Sequence, residues 1–494
     1  MQFDPVIVSF TLYTFGIIAL GLYSARFSKQ TDSDFFLADR GLGAWVSALS
    51  SSASAESGWV TLGLVGVAYQ TGLGAMWVVL GTFVAFLFNW FVLAWRLRDT
   101  AAKQGALTIP DVLSIPYHGL AGQLIRCVGV MIIVSMLVLY VAAQLNAAGT
   151  TFNGIFDWKY NNGVLLGFAI VVVYTVTGGF RAVAWTDVVQ GGFMILTIVA
   201  LPILLIVKIG GPVAFWEGLA NDPAGAVLTD PYAGKSGLAL LGFLTLWLGI
   251  PLGNAGQPHV MVRLMAVRDR AAVLRGGVIA SVWVLMLFSG AVFLGMAARV
   301  YFKGGLDNPE QTLMVIARDT QLVPGFLGGM IVAAVLAAIC STADSQLLVA
   351  ASSVSHDLIV RIFGLDLSRK ARMILDRSAV IGIGLLALSI AIGNQQSVFD
   401  FVLDYGWAGL GAGFGPALIL TLLWRRTTGW GVLSGMIVGV VTAIVWRWQL
   451  PEWHAQVYNL APAFAFSMLT ILVVSLLTKP EEPAADRKPE KSKA

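Results

Sequence analysis

The sequence is poor in charge and nearly free of cysteine. Asp, Glu, Lys and Arg make up 12% of its 494 residues, and only Cys127 and Cys340 carry thiols. So small a charged fraction cannot coat a soluble domain of this length. Both cysteines fall inside apolar runs, which argues against a disulfide scaffold and for small buried hydrophobes. No Gly-rich phosphate loop is present, which argues against ATP drive. His118, His259, His356 and His454 fall in loops, and no pair has metal-ligand spacing within one helix. Ser, His and acid do not converge as in a hydrolase, so an enzyme is not expected. The net charge of +4 is scattered over short loops and offers no face for nucleic acid. No obligate protein partner is expected either. The N-terminus lacks the basic region of a cleaved signal, so the first apolar run should stay in the mature chain.

What the chain does have is hydrocarbon. It is 57% hydrophobic, with repeated apolar runs long enough to cross a bilayer. About thirteen spans are expected, near 6–25, 42–69, 73–95, 121–147, 162–178, 183–208, 236–255, 276–299, 324–352, 378–398, 401–424, 429–448 and 459–478. The fold class is therefore an all-α polytopic membrane protein whose main partner is the lipid bilayer. With the N-terminus outside, 24 Lys and Arg fall on the inner side, Arg26, Arg40, Arg181 and Arg263 among them, and 7 on the outer side. Cytoplasmic loops carry the excess of Lys and Arg, so the N-terminus is expected outside and the C-terminus inside. The tail, 479–494, is rich in Pro, Glu and Lys and is expected to be disordered.

Two spans are interrupted. Leu49-Ser50-Ser51-Ser52-Ala53-Ser54-Ala55-Glu56-Ser57-Gly58 places hydroxyls and an acid in the middle of the second span. A helix opens in hydrocarbon only where protein, water or an ion satisfies the freed backbone groups. Close helix packing by small residues would also favour such a composition. The seventh span ends in Gly249-Ile250-Pro251-Leu252-Gly253-Asn254-Ala255-Gly256, where Pro251 removes a donor and the glycines ease departure from the helix. A simple proline kink is the alternative there. The two breaks are five spans apart. Halves over 42–208 and 209–424, each opening with a broken helix, would have opposite topology and a binding site between them at mid-depth. An extra helix and loop over 1–41 and two helices over 425–478 would flank them.

Three acids lie within spans: Glu56, Asp187 and Asp344. Such residues usually face a cavity, a partner or an ion. Asp187 stands near the inner end of its span and could instead cap that helix. Ser341 and Ser345 share a face, with Thr342 and Asp344 on flanking faces of the same turn. That mixture of hydroxyl and carboxylate suits a hard cation. Tyr140 and Gln144, one turn apart, either line a cavity or bond between helices.

Taken together, Ser54-x-x-Ser57-Gly58-Trp59, Thr177-Gly-Gly-Phe180 with Trp185-Thr186-Asp187, Gly256-Gln-Pro-His259, Ser341-Thr342 with Gln346-Leu347-Leu348, and Trp407-Ala-Gly with Phe414-Gly-Pro416 resemble the sodium/solute symporter family. The bacterial sodium/proline branch is most similar. The resemblance covers nearly the whole chain and implies a LeuT-like core of five plus five helices in inverted repeat. It implies a bacterial inner-membrane symporter that imports a small organic solute, proline or another small amino acid, by alternating access with sodium as the co-transported ion. The implied sodium ligands are the carbonyls of Ala53, Glu56 and Ala338 and the hydroxyls of Ser341 and Thr342. Some relatives hold a second sodium, and the matching positions here are Asp187, Ser341, Asp344 and Ser345. Substrate contacts are implied at Ser57, Gly58, Tyr140, Ile250, Asn254 and Gln257. Proline transporters carry an Asp-Met pair where this chain has Ala55-Glu56, which moves the acid about 100° round a helix. A sodium- or proton-coupled symporter for a short-chain monocarboxylate is the alternative.

Overall fold

The apolar runs fold as helices, because only a helix satisfies every backbone group of a spanning segment from within. The computed structural model describes residues 4–27, 31–303 and 305–480, so residues 481–494 of the tail lie outside the described residues. Among the described residues, eleven helical stretches are long and apolar enough to cross a membrane. Two of the breaks between the thirteen expected spans lie within continuous helical stretches. One is at Gly72 (φ 58°, ψ −129°), where the chain turns back between residues 59–71 and 76–104. The other is at Gly179 (φ 60°, ψ −175°) inside Tyr160–Ile209. Positive φ strains any residue with a Cβ, so glycine marks both turns. Beyond Gly179, Arg181 pairs with Asp34 from the short helix Asp32–Leu37, which places that turn on the face that also carries Arg40 and Arg98.

Burial separates a core from its flanks. The apolar window of residues 325–362 is 83% buried and that of 398–423 is 78% buried. By contrast, the Pro5–Ser24 window is 17% buried and that of Leu460–Leu477 is 28% buried. The outer helices and helix ends turn large apolar side chains outward, among them Leu12, Phe15 and Leu477 of the flanks and Val207 and Leu238 at the ends of core helices. A surface of this kind needs lipid against it, and the chain is a multi-pass membrane protein.

Both interrupted spans are broken. The first runs as Ala44–Ala55, opens at residues 56–58 and resumes over 59–71. The second runs as Gly237–Gly249, tightens into a 3₁₀ turn over Ile250–Gly256 and resumes as Pro258–Met265. A parallel bridge between Leu42 and Val267 ties the start of one to the end of the other, with Leu42 N–H donating to the Ala266 carbonyl at 3.1 Å.

On the same face, a polar knot anchors the long 325–362 helix. Arg126 reaches both Asp111 and Asp357; Thr108 donates to Asp357 at 2.9 Å, and His356 lies 3.1 Å from Asp111. The ligand atoms of Asp111, His356 and Asp357 are close enough to hold a metal ion, but the Arg126 guanidinium already supplies the cation between the two acids. His356, expected in a loop, is buried in this knot. Burial opposes the charge on Asp111. His356, Arg126 and the Leu107 N–H outweigh it and hold the carboxyl well below its usual range. Asp111 therefore adds stability that is present above about pH 4, the unfolded carboxylate range, and is lost as pH falls further toward its folded value. Arg126→Met leaves buried Asp357 without its cation and Asp111 with only the half-exposed Arg361, 3.9 Å away. It should cost about 3–5 kcal/mol, read as a lower melting temperature of the purified protein; an unchanged melting temperature contradicts this role.

Candidate functional site

The first break begins where Glu56 leaves helical geometry, at φ −103° and ψ 74°. Gly58 and Trp59, just beyond it, are each held by a side chain. Gln144 accepts the Gly58 N–H at 3.1 Å, and the Ser57 hydroxyl accepts the Trp59 N–H at 3.1 Å. A Cβ on Gly58 would lie 2.9 Å from the Ala147 side chain and 3.1 Å from Ile339, so the strand of chain at the break presses on two neighbouring helices.

The freed carbonyls face the helix Gly325–Ser352. Ser341 Oγ lies 3.0 Å from the Ala53 carbonyl oxygen and 3.2 Å from that of Ala338. Thr342 Oγ1 donates to the Ser54 carbonyl at 3.2 Å. Ala53, Ala338, Ser341 and Thr342 are all fully buried. Oxygens at these spacings subtend about 80° at a hard cation with ligand distances of about 2.3–2.6 Å. The donor set is all oxygen, with neither sulfur nor imidazole, and suits an alkali or alkaline-earth ion rather than a transition metal.

Glu56 contributes its place in the break, while its side chain turns elsewhere. Trp283 Nε1 donates to Glu56 Oε2 at 2.7 Å, and Oε1 has no hydrogen-bond partner among the described residues. Ala55 is the residue that faces the central cavity. The one-position shift of the acid thus moves the carboxylate out of the cavity and onto the Arg270–Tyr301 helix.

That cavity lies between the two breaks and, at about 10 Å³, is nearly closed. Tyr140, Ile250 and Asn254, named above through the family resemblance, line it. Ser57, Gly58, Gln144 and Gln257 do not; they brace the breaks. Gln257 Nε2 donates to the carbonyls of Gly253 and Trp407, both at 3.2 Å. The rest of the lining is largely aromatic or apolar: Trp59, Phe86, Phe288, Val402, Leu403 and Trp407, with Thr82. Trp59 and Trp407 stand inside motifs quoted above, whereas Phe86 and Phe288 sit in uniformly apolar runs that carry no signal. Trp407 Nε1 donates to the Ile250 carbonyl at 2.7 Å, and a Cβ on Gly253 would lie 2.2 Å from that nitrogen, so Gly253 must be glycine for the indole to reach the break.

Above the cavity, Phe399 stacks on Trp59 with ring centroids 5.6 Å apart. Phe399 also lines an open polar cavity with Gln70, Asn153, Glu310 and Asp400. The Glu310 carboxylate accepts the N–H groups of Val398 and Phe399 at 3.0 Å and the Ser397 hydroxyl at 2.9 Å, which fixes this aromatic lid.

The cluster expected to hold a second cation also assembles, with a difference. Asp187 does not cap its helix end. It lies two turns beyond Gly179, fully buried, and accepts from Ser50 at 2.6 Å. Ser345 lies 2.8 Å from Asp344 and 2.6 Å from the Ser341 carbonyl. The Arg263 guanidinium is bonded to both Asp187 and Ser345. Arg263, counted above among the inner-loop charges, is only 1% exposed, and its neighbour His259 is fully buried with its ring edge-on to Tyr140. Polar sequence on either side of a short helix had made both look like loop residues.

The sodium:solute symporter family model matches residues 35–439. The chain belongs to the sodium:solute symporter family. It is a symporter that couples solute movement to sodium, and transport rather than catalysis is what its relatives do. It is 34% identical to the sodium/proline symporter of Haemophilus influenzae, over 97% of this chain and 96% of that one. It is 34% identical to the osmoregulated proline transporter OpuE of Bacillus subtilis (98% and 96% covered) and 35% identical to the high-affinity proline transporter PutP of the same organism (93% and 96%). In fold it superposes on a sodium-coupled sialic acid symporter in a substrate-bound outward-open state, with a TM-score of 0.80 at 15% identity, covering 97% of this chain and 99% of the other. The all-α architecture with a LeuT-like core is thereby established.

Ser341→Ala and Thr342→Ala in this symporter should each raise the sodium concentration for half-maximal uptake at least about tenfold, a change of about 1.4 kcal/mol. Solute affinity at saturating sodium should change much less. Unchanged sodium activation in both variants contradicts the assignment of these hydroxyls.

Proposed function

We propose that the chain is a sodium/proline symporter of the bacterial inner membrane, with its N-terminus outside and its C-terminus in the cytoplasm. The observation that carries the solute assignment is the small aromatic cavity between the two breaks. An apolar ring packs against Trp59, Phe288 and Trp407. A solute ammonium is favoured by aromatic faces and by the carbonyl end of Ala44–Ala55, and a carboxylate by the amide end of the half-helix that starts at Trp59. A compact zwitterion uses both ends; a short-chain monocarboxylate leaves the carbonyl end unused. The proline transport of the bacterial relatives supports the same reading. The loop arginines and lysines support the orientation.

In this reading sodium binds Ala53, Glu56, Ala338, Ser341 and Thr342 and draws the first break against the Gly325–Ser352 helix. The solute then occupies the cavity beneath Trp59 and Phe399. The halves over 42–208 and 209–424 rock against each other, and the sodium oxygens open to the cytoplasm. One charge crossing 100 mV supplies about 2.3 kcal/mol, and a tenfold sodium gradient adds about 1.4 kcal/mol. One sodium per solute thus supports about 500-fold accumulation of a neutral solute.

The test is a thermal-shift screen of the purified symporter with proline, other small amino acids and short-chain monocarboxylates, in sodium and in potassium, followed by uptake into proteoliposomes. Proline should raise the melting temperature in sodium only and should accumulate against its gradient. Stabilisation by a monocarboxylate and not by proline contradicts the assignment.

A further inference from the structure

We infer that Arg263 is a built-in second cation: its guanidinium fills the pocket that would otherwise take a second sodium ion, and so sets the coupling at one sodium per solute. The inference rests on the sodium-symport reading but not on the identity of the solute.

The geometry is that of a cation in a ligand cage. One terminal nitrogen of Arg263 donates to Asp187 Oδ2 at 2.9 Å and also to the Ser345 hydroxyl. Nε donates to Ser50 Oγ at 2.8 Å, and the other terminal nitrogen donates to the His259 carbonyl. The Phe180 ring lies 5.5 Å from the guanidinium carbon, near enough for a cation–π contact. Asp187 and Ser345 are two of the four residues expected to hold a second ion. The other two, Ser341 and Asp344, lie within hydrogen-bond distance of Ser345. A sodium ion among these oxygens would have to share Asp187 and Ser345 with a group that never loses its charge. Two cations in one buried cage repel strongly, because little water screens them.

The attachment of this cation distinguishes it from a free ion. Arg263 belongs to Pro258–Met265, the short helix that follows the second break. Its partners come from Ala44–Ala55, from Tyr160–Ile209 and from Gly325–Ser352. A tethered cation joins the two broken helices and the sodium-bearing helix, yet it is not delivered across the membrane. It satisfies the buried acid without adding to the charge moved per cycle. A structural ion pair alone would hold the same helices together but would leave the number of bound sodium ions unaltered when the arginine is removed.

The test counts ions. Equilibrium binding of ²²Na⁺ to the purified full-length symporter, without solute, should give one sodium per chain, and sodium activation of uptake should have a Hill slope near one. Arg263→Met, which removes the charge and keeps much of the volume, should raise the count to two and the slope toward two. Adding Asp187→Asn to that variant should return the count to one. Two ions bound by the unaltered protein overturn the inference, and so does a count of one in Arg263→Met protein that still binds sodium. The count on the unaltered protein needs no variant to fold. Because it is made without solute, it stands apart from any failure of proline as the cargo.

Discussion

Everything in this molecule follows from the cost of an unpaired peptide group in hydrocarbon. A broken helix at mid-depth exposes carbonyls and amides that water cannot reach, each costing several kcal/mol if left alone. The protein meets that cost with side chains brought from elsewhere in the sequence. Gln144 takes the Gly58 N–H, Gln257 takes the carbonyls of Gly253 and Trp407, and Trp407 takes the carbonyl of Ile250. The carbonyls of Ala53 and Ser54 are met by the hydroxyls of Ser341 and Thr342, which are oxygen ligands themselves. The same groups that make the break tolerable are the oxygens proposed to receive the alkali ion.

Charge is handled by the same rule. The buried acids described here have a named donor or cation beside them: Trp283 for Glu56, Arg263 for Asp187, and Arg126 for Asp111 and Asp357. Breaking such a pair is costly because one charge is then stranded, whereas a net charge that comes and goes with a transported ion can do work in each cycle. The division between fixed cations, Arg126 and Arg263, and a mobile one, sodium, is what links this electrostatic pattern to transport.

Much of this was legible in the sequence, for physical reasons. Spans show as apolar runs because lipid tolerates little else. Both breaks show because Ser50 to Gly58 and Pro251 to Gly256 are poor material for an uninterrupted helix. The approach of Ser341 to Ala53 followed from the family motifs. What the sequence concealed depends on contacts between distant segments. Arg263 stands in a polar stretch after the second break and looks like a loop charge, yet the cage around it comes from residues 50, 187 and 345. Glu56 looks like a ligand-facing acid until the structure places Trp283 beside it. A polar side chain in a span, such as Gln144, can either line a cavity or bond between helices, and Gln257 is a solute contact by family resemblance alone; the structure shows both bracing backbone. Phe86 and Phe288 are indistinguishable by type from the lipid-facing phenylalanines around them.

The central claim is that sodium is held by the opened main chain at residues 53–56 together with the helix around Ser341. Hydrogen–deuterium exchange of the purified symporter in sodium and in potassium tests it most directly. Sodium should slow exchange in peptides covering residues 50–60 and 336–346 while leaving the flanking Leu460–Leu477 helix unaffected. Equal exchange of those two segments in both salts, with sodium protection appearing elsewhere or nowhere, would contradict the account.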